Sequence, residues 1–464
     1  MLAQSNSSKF AHVRSPERPR GQICPEPTQR YEALQVYTTK ADAGARHARL
    51  MRRATWERVG QAALATGTLN LAVGQPALSL LPTALLRAAA KRTLGSAEEA
   101  GVDPRCYLQY GGGAGNVRYL QQVAEYLTQR LGYSVAPENL FASTGNSASI
   151  ALASSVLSSP GDVVAMEDPS YFLAHTIFRD NGLILRSAPH RASSGTIDVG
   201  AVEALLQDAP GPPPKLLYLV PTANNPTGRT MPDIDRRRLV ELCARHGVTI
   251  LSDDVYEHLV WGDEEARPRP MRWHALEQGV GATVVSLGSW SKLLGPGLRL
   301  GWVEAEPGVI DALCNSGAIT SGGGGCPLVD ALVADLLASG DVEEHRRFVC
   351  AALRRRAAAL VEAINGALGD GHEPAVVGTD GGYFLSVALP AGVASAAFDA
   401  ACEHQRVCAL PGTRCVLDSP WGLTHVRVSF AFLEEDELVE AGRRLGRAIG
   451  EARERTTAVA SSGS

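Results

Sequence analysis

Short, nearly continuous apolar runs alternate with helix-like segments along most of the chain. Four of these runs predict buried strands, at residues 162–168 (DVVAMED), 215–221 (KLLYLVP), 248–254 (VTILSDD) and 282–289 (ATVVSLGS). Between the second and third runs, residues 233–247 have the apolar spacing of a helix, with Asp233 as the predicted N-cap and Gly247 as the stop. Apolar strands separated by helices indicate an α/β domain whose parallel sheet is covered on both faces.

The pattern changes beyond about residue 335. Residues 343–368 predict one long amphipathic helix, and the segments GGYFLSVALP and THVRVSFAF predict strands, so a smaller α+β domain follows the large one. The predicted organisation is a flexible N-terminal arm at 1–45, a segment at 46–70 that packs with the small domain, a large domain at 71–330, a small domain at 331–455 and a tail at 456–464.

The composition is that of a globular protein, and it narrows the choice of partners. The 464 residues are 45% hydrophobic and 20% charged, and the net charge of -5 argues against nucleic acid or an anionic membrane as the main partner. No apolar run is long enough to cross a bilayer, and the first residues lack the apolar segment of a secretory signal. Nine cysteines without a CxxC pair favour reduced thiols, so we expect a cytoplasmic protein without a metal site.

Polar or glycine-rich stretches follow the predicted strands. They are STGNSAS (143–149), PTANNPTG (221–228), the segment from Asp253 to Tyr256 and the segment from Ser289 to Lys292. Ligands of open α/β sheets bind at the carboxyl ends of the strands, where these four stretches would converge. We therefore expect the functional site at this edge of the sheet.

Lys292 has the most specific chemistry in this set. It lies in SLGSWSKLLGPGLRLGW (286–302), where its neighbours are mostly small, apolar or turn-forming. A lysine in a partly apolar site can be a neutral amine that forms a Schiff base, although a solvated surface lysine is the more common case. Ser289 and Arg299 in the same stretch suit a phosphate, because arginine offers a planar fork of hydrogen-bond donors.

A second stretch supplies another half of a phosphate site. Gly145 opens a predicted helix, and the free N–H groups of a helix N-terminus attract anions. Asn146 and Ser147 can add donors from their side chains. Taken alone this signal is weak, because many helices begin with serine, threonine or asparagine.

The remaining polar residues suit an aromatic ring that carries a basic nitrogen and a phenolate. Asp253 can keep a pyridine nitrogen protonated, which makes the ring an electron sink, although a satisfied core acid is the alternative. Asn225 and Tyr256 can donate hydrogen bonds to a phenolate oxygen, and Tyr171 can stack on the ring face. Together with the amine and the phosphate donors, these groups meet the requirements of pyridoxal 5′-phosphate.

Seven motifs in the chain resemble those of one enzyme family. They are LNLAVGQP, LQYGGGAG, EDPSY, NNPTG, SDDVY, GSWSKLLGPGLRLGW and VRVSF, and they occur in the family's order from about residue 69 to residue 450. The chain is thereby similar to the fold-type I aminotransferases of class I and II. The resemblance implies an α/β large domain, whose mixed, mostly parallel sheet lies between helices, and a smaller α+β domain.

The resemblance also assigns roles to residues. It makes Lys292 the catalytic lysine that carries the cofactor and Arg427 the residue that binds the substrate α-carboxylate, with Asn225 beside it. The predicted cofactor contacts besides Lys292 are Gly145, Asn146, Ser147, Tyr171, Asn225, Asp253, Tyr256, Ser289, Arg299 and Tyr110. Tyr110 matches a tyrosine that reaches a phosphate in the neighbouring subunit, which implies a homodimer with shared active sites.

Transamination between an amino acid and a 2-oxo acid is the leading functional prediction. A β- or γ-elimination, replacement or cyclising reaction with the same cofactor, for example on S-adenosylmethionine, stays open, and a non-enzymatic regulator built on this fold ranks last. Trp290 and Leu293 depart from the family pattern and bear on the substrate pocket rather than on the cofactor. The glycine run at 321–327 is read either as a flexible connector or as backbone donors that face a substrate.

Overall fold

The computed structural model describes residues 67–96, 101–207, 211–262, 267–368, 375–376 and 379–462. The arm predicted at 1–45 and most of the segment predicted at 46–70 lie outside the described residues. The strands are β1 (Leu69–Asn70), β2 (Leu140–Ser143), β3 (Val163–Asp168), β4 (Ile184–Arg191), β5 (Thr196–Ile197), β6 (Pro214–Leu219), β7 (Thr249–Asp253), β8 (Val284–Ser289), β9 (Gly301–Glu304), β10 (Phe384–Ala388), β11 (Val407–Cys408), β12 (Leu410–Pro411) and β13 (His425–Ser429).

Helices connect most of these strands. They are α1 (Thr83–Thr93), α2 (Val117–Leu131), α3 (Asn146–Leu157), α4 (Phe172–Asp180), α5 (Val199–Gln207), α6 (Asp233–His246), α7 (Met271–Glu277), α8 (Pro307–Cys314), α9 (Gly317–Gly322), α10 (Pro327–Ala338), α11 (Asp341–Leu368), α12 (Ser395–Gln405), α13 (Trp421–Thr424) and α14 (Glu435–Ser462). None of the helices in the described ranges has the length and apolar character that crossing a bilayer requires.

Eight strands form one mixed sheet in the order β2-β9-β8-β7-β6-β3-β4-β5. The pairs β4–β3, β3–β6, β6–β7 and β7–β8 are parallel, whereas β8–β9, β9–β2 and β4–β5 are antiparallel. The four apolar runs identified in the sequence correspond to β3, β6, β7 and β8, so the predicted mostly parallel sheet is confirmed.

Alternate side chains of the central strands enter two separate cores. Leu216 and Tyr218 of β6 lie in the larger core, whereas Leu217 and Leu219 lie in the smaller one. Helices α2 and α3 contribute buried side chains to the larger core, and α6 contributes to the smaller one. Burial on both faces is the reason that these strands read as continuous apolar runs rather than as alternating patterns.

The ends of α6 show how closely local signals locate a helix. Gly247 ends the helix in the left-handed conformation (φ 66°), as the sequence predicts. The prediction of Asp233 as the N-cap is wrong by one position, because the cap is Pro232 and Asp233 lies in the first turn. The carboxylate of Asp233 instead accepts a hydrogen bond from the backbone N–H of Arg269 at 2.7 Å.

The carboxy-terminal part contains a second, smaller sheet. Strands β10, β13 and β12 form it with antiparallel pairing, and β1 pairs with β11 so that Leu69 lies opposite Val407. The predicted boundary between residues 330 and 331 falls inside α10, and α14 extends into the segment predicted as a tail.

Asp168 joins the end of β3 to the loop that precedes β13. Its buried carboxylate accepts hydrogen bonds from the backbone N–H groups of Leu417 at 3.1 Å, Asp418 at 2.9 Å and Ser419 at 3.0 Å. Hydrogen bonds to a buried charged acceptor are among the stronger ones, each contributing about 1.5–3 kcal/mol. This contact therefore holds the small sheet against the carboxyl edge of the large one.

Trp290 lies in the core and not in a substrate pocket. Its side chain is fully buried, its N–H donates to the hydroxyl of Tyr119 at 2.9 Å, and its ring centroid lies 4.8 Å from that of Trp302. Leu293 is buried as well. The expectation that these two departures bear on the substrate pocket is therefore wrong, because both side chains pack inward.

The glycine run after α9 packs against the glycine-rich turn that precedes α2. The N–H of Gly324 donates to the carbonyl of Gly112 at 3.1 Å. A Cβ placed on Gly323 would lie 2.6 Å from the carbonyl oxygen of Gly111, so a larger residue cannot fit there. The run is a packed segment rather than the flexible connector suggested by its sequence, and the N–H of Gly324 already has a backbone partner.

Candidate active site

A cavity of about 170 Å³ lies at the carboxyl ends of β6, β7 and β8. It brings together nine of the side chains that the sequence singles out, from stretches more than 150 residues apart. These nine are Asn146, Ser147, Tyr171, Asn225, Asp253, Tyr256, Ser289, Lys292 and Arg299. Val220, Val255, Ser291 and Pro296 complete the lining.

Lys292 enters this cavity from a short 3₁₀ turn, Trp290–Lys292, directly after β8. Ser289 caps the turn, because its hydroxyl accepts the N–H of Ser291 at 3.2 Å. The Lys292 amine donates to the carbonyl of Gly74 at 2.7 Å. Burial lowers the pKa of Lys292 to about 8, the charge of Arg427 acts in the same direction, and the charge of Asp253 opposes them. The amine is thus much closer to its neutral, nucleophilic form at physiological pH than a surface lysine is.

Asp253 ends β7 as a buried carboxylate with a donor on each oxygen. The side-chain amide of Asn146 donates to Oδ1 at 2.5 Å, and the hydroxyl of Tyr218 donates to Oδ2 at 2.7 Å. Burial raises the pKa of Asp253, while these two hydrogen bonds and the charge of Lys292 oppose that shift. A cation bound in the cavity would stabilise this carboxylate further, as the nitrogen of a pyridinium ring does.

The two side chains that donate to Asp253 are not the ones that the sequence indicates for this role. Asn146 was expected at the phosphate, but its amide hydrogen-bonds to Asp253 and to the carbonyl of Leu287 at 3.0 Å. Tyr218 was not identified from the sequence, where its only signal is a hydroxyl-bearing residue inside the otherwise apolar run KLLYLVP. Both side chains position Asp253.

The groups that suit a phosphate lie around the start of α3. Gly145 precedes this helix with φ 94°, and a Cβ placed on it would lie 3.0 Å from Nη2 of Arg299. Arg299 is held close by a hydrogen bond from Nη2 to the carbonyl of Thr144 at 3.0 Å. Ser147 and Ser289 line the same part of the cavity. The missing side chain at Gly145 leaves a cradle between helix N–H groups and a guanidinium, which is suited to an anion.

Tyr171, Asn225 and Tyr256 occupy the rest of the wall. Tyr171 precedes α4 and is half-buried, so one part of its side chain faces the cavity. Tyr256 is buried, and its ring centroid lies 5.8 Å from that of Tyr383. The hydroxyl of Tyr383 donates to the carbonyl of Lys292 at 2.5 Å, which fixes the backbone that carries the amine.

Arg427 approaches the site from β13 of the small sheet. Its Nη1 donates to Oδ1 of Asn225 at 3.0 Å, and its Nη2 donates to the carbonyl of Ala72 at 2.6 Å. The guanidinium carbon lies 4.0 Å from the ring centroid of Phe384, and Nε is buried without a hydrogen-bond partner among the residues that the structure describes. Arg427 is not part of the cavity lining itself, but it contacts Asn225, which is.

Tyr110 lies apart from this cavity. It is 85% exposed, and it follows a 3₁₀ turn at Pro104–Leu108. It is not one of the residues that line the cavity around Lys292 in its own chain. Within the described ranges, no group of three or more histidine, cysteine, aspartate or glutamate side chains is arranged to hold a metal ion.

Comparisons with known proteins agree with this geometry. The family model "Aminotransferase class I and II" matches residues 66–445. The 2-aminoadipate transaminase of Thermus thermophilus is 31% identical over 82% of this chain and 90% of its own length, and the aromatic-amino-acid aminotransferase 1 of Thermococcus litoralis is 26% identical over 82% and 88%. A crystal structure of the α-aminoadipate aminotransferase LysN from Thermus thermophilus, complexed with N-(5′-phosphopyridoxyl)-L-leucine, superposes with a TM-score of 0.72, at 29% identity, over 87% of this chain and 99% of that one.

The chain belongs to the aminotransferase class I and II family, and it is a pyridoxal phosphate-dependent transferase of fold type I. The cavity fits this cofactor in three respects. The cradle at Gly145 suits an anion, the buried Asp253 forms no ion pair with any residue of the described ranges, and the Lys292 amine is held at the cavity wall with a lowered pKa.

In the apoprotein, we expect the Lys292 amine to titrate near pH 8, well below the 10.5 of an ordinary lysine. The measurement is the pH dependence of its labelling by an amine-specific reagent, read by peptide mass spectrometry. Arg427→Met should move the midpoint upward, because it removes a nearby positive charge. Asp253→Asn should move it downward, because it removes the negative charge that stabilises the ammonium form.

The control for this titration is Arg238→Gln, which removes an exposed charge from α6 and should leave the midpoint unchanged. A wild-type midpoint near that of free lysine would contradict the assignment of a desolvated amine.

Proposed function

We propose that this enzyme transfers the α-amino group of an amino acid to a 2-oxo acid at the cavity around Lys292. The observation that carries the proposal is the arrangement of Lys292 and Asp253, a lowered-pKa amine and a buried carboxylate that face one cavity. When bound, pyridoxal phosphate supplies an aldehyde that takes up the amino group and a ring that accepts electrons.

Different residues of the cavity would bind the ring nitrogen, the phosphate and the phenolate oxygen of this cofactor. Asp253, held by Asn146 and Tyr218, would keep the ring nitrogen protonated. The phosphate is bound by a further set of groups, namely the N–H groups that follow Gly145 and the side chains of Ser147, Ser289 and Arg299. Asn225 and Tyr256 line the cavity where they would donate hydrogen bonds to the phenolate oxygen, and Tyr171 would pack on the ring.

The same chain binds the substrate and moves its proton. Arg427 holds the α-carboxylate, and its buried Nε has no partner in the described structure, so a carboxylate oxygen can take that hydrogen bond. The neutral amine of Lys292 accepts the proton from the substrate α-carbon, a task for which a pKa of about 8 is well placed. Gly74, whose carbonyl holds this amine at 2.7 Å, keeps it on the cavity side.

The proposed partners are an amino acid, a 2-oxo acid and a second copy of this chain. Exposed large apolar side chains are concentrated between residues 78 and 117, where Leu78 is 85%, Leu108 72%, Tyr110 85% and Val117 69% exposed. Exposed apolar groups of this size favour an interface. A homodimer in which Tyr110 completes the phosphate site of the neighbouring chain accounts for this exposure.

The proposed location is the cytoplasm. It is supported by the cysteines of the described ranges, all eight of which are free thiols. Cell fractionation with an antibody to the protein is the direct test.

The reaction type can be tested with the holoenzyme, one amino acid and no 2-oxo acid. 2-Aminoadipate and phenylalanine are the first donors to try, since the named relatives act on 2-aminoadipate and aromatic amino acids. Transfer should yield one 2-oxo acid per site and then stop, because the amino group stays with the cofactor, and an added 2-oxo acid should restart the reaction. Lys292→Ala should slow it about 10²–10⁴-fold.

Sustained turnover without any acceptor, with loss of a β- or γ-substituent, would instead support elimination, replacement or cyclisation. That outcome would overturn transamination while leaving the cofactor site as described.

Replacement of Arg427 and replacement of Arg299 should have different effects on the enzyme. Loss of a charged hydrogen-bond donor costs about 1.5–3 kcal/mol, or roughly 10- to 150-fold in affinity. Arg427→Ala should therefore raise KM for the amino acid with little change in cofactor content. Arg299→Ala should lower cofactor retention, measured by absorbance after dialysis. The opposite pattern would show that the two roles are exchanged.

The dimer can be tested by sedimentation of the holoenzyme. We expect a dimer or a higher species, and we expect Leu108→Asp to shift it towards monomer because a charge on an apolar interface is costly to bury. Tyr110→Phe should keep the dimer and weaken cofactor retention, since only the hydroxyl is lost. A fully active monomeric holoenzyme would refute the shared site.

A further inference from the structure

A second and larger cavity, of about 780 Å³, lies between the large sheet and the small sheet. Its walls are the β4–β5 hairpin around residues 189–195, the segment from Thr227 to Arg229, one end of β10, and the turn from Ser419 to His425. It shares no lining residue with the cavity around Lys292, so it is a separate site on the same chain. We refer to it as the hairpin cleft.

The lining of the hairpin cleft is cationic and rich in hydroxyl groups. Arg191 and Arg229 lie in the wall, and none of the residues that line the cleft is an aspartate or a glutamate. Six side chains carry hydroxyl groups, namely Ser193, Ser194, Thr227, Ser386, Ser419 and Thr424. The hydroxyls of Thr227 and Thr424 already donate within the chain, to Oδ1 of Asn224 at 3.0 Å and to the carbonyl of Trp421 at 3.2 Å. Guanidinium and hydroxyl donors without a carboxylate between them favour an anion with several acceptor oxygens.

Neither arginine is held tightly by an acid. Arg229 is exposed, and the described structure records no hydrogen bond or ion pair of its guanidinium. Arg191 reaches Asp198 at 3.5 Å and Asp235 at 3.9 Å, which are long distances for a charged hydrogen bond. Both guanidiniums therefore keep donor capacity for a ligand in the cleft.

His190 adds a buried polar group in the same wall. Its side chain is 6% exposed, and its Nε2 lies 3.3 Å from Oε2 of Glu167. Its Nδ1 is buried and has no hydrogen-bond partner within the described part of the chain. A water molecule or a polar group of a ligand can complete the hydrogen bonding of this nitrogen, as donor or acceptor according to the tautomer of the ring.

Trp421 and His425 form a flat surface beside these donors. Their rings stack at a centroid distance of 5.0 Å and an interplanar angle of 6°, and both residues line the cleft. Burial lowers the pKa of His425, and a hydrogen bond to the backbone of Trp421 opposes that shift. A pair of stacked rings suits a ring-bearing ligand rather than a bare inorganic ion.

We propose that the hairpin cleft binds an aromatic phosphate monoester, with its dianionic phosphate at Arg191 and Arg229 and its ring against Trp421. The dianionic phosphate matches the two guanidiniums in charge, and its oxygens can accept hydrogen bonds from hydroxyl groups in the wall. This site does not depend on the reaction proposed for the cavity around Lys292.

The cleft is nevertheless connected to that reaction. Asn224 accepts the N–H of Thr227 at 3.0 Å, and the next residue, Asn225, contacts Arg427. His425 and Arg427 are two positions apart on β13 and thus lie on the same face of the small sheet. A ligand in the cleft would contact the neighbours of two residues proposed to bind the substrate.

The test is calorimetric titration of the holoenzyme with phenyl phosphate, since a filled cofactor site leaves the phosphate cradle at Gly145 unavailable. We expect one saturable site per chain. Arg229→Gln should weaken binding roughly 10- to 150-fold. Trp421→Leu should weaken phenyl phosphate but not inorganic phosphate. Arg238→Gln, which removes an exposed charge on α6, should change neither.

Three results would overturn the proposal. They are no saturable binding to the wild-type holoenzyme, equal affinity in the Arg229→Gln variant, and benzoate binding as tightly as phenyl phosphate. The last result would show that the cleft selects a monocarboxylate. Since Arg229 is exposed, its replacement should not unfold the protein, and unchanged thermal melting of each variant is the check. Arg191→Gln provides an independent second variant with the same expected loss.

Discussion

The buried carboxylate of Asp253 is the group on which the rest of the site depends. Taking a carboxylate out of water is costly, and burial does raise the pKa of Asp253. Tyr218 and Asn146 each donate to one oxygen, and the charge of Lys292 adds a third favourable interaction. None of these contacts is local in sequence, so the carboxylate can be tolerated only after the sheet has brought β6, β7, β8 and the start of α3 together.

The sheet topology brings the segments that carry these groups together. Strands β6, β7 and β8 are adjacent and parallel, so their carboxyl ends lie side by side and carry Asn225, Asp253 and Lys292 into one cavity. Glycines allow the close approaches that the arrangement needs. At Gly145 a Cβ would meet Arg299, and at Gly288 it would lie 2.0 Å from the ring of Trp302, whose packing fixes Trp290 two residues before Lys292.

These features also explain how far the sequence could predict the structure. The strands and the cavity residues could be predicted, because burial on both faces leaves apolar runs and because ligand-binding residues follow the strand ends. The hydrogen bonds that position the cavity residues could not be predicted from the sequence. Lys292 bonds to Gly74 across 218 residues, Asp168 bonds to Leu417 across 249, and Arg427 bonds to Ala72 across 355. A side chain that bonds to a distant backbone group leaves no local pattern. Trp290 illustrates the same limit, since its sequence position beside Lys292 suggests the pocket while its side chain enters the core.

The segment from Ala72 to Gly74 holds the side chains of both Arg427 and Lys292 through its backbone carbonyls. The carbonyl of Ala72 accepts from Arg427, and the carbonyl of Gly74 accepts from Lys292. These neutral acceptors satisfy hydrogen bonds without cancelling charge, and so Arg427 continues to lower the pKa of Lys292. A substrate carboxylate at Arg427 would cancel that charge. The pKa of Lys292 would then rise, and its amine would become a stronger base when the α-proton it is proposed to remove is in place. With the proposed roles of Arg427 and Lys292, substrate binding and base strength would be coupled through one electrostatic interaction between the small sheet and the large one.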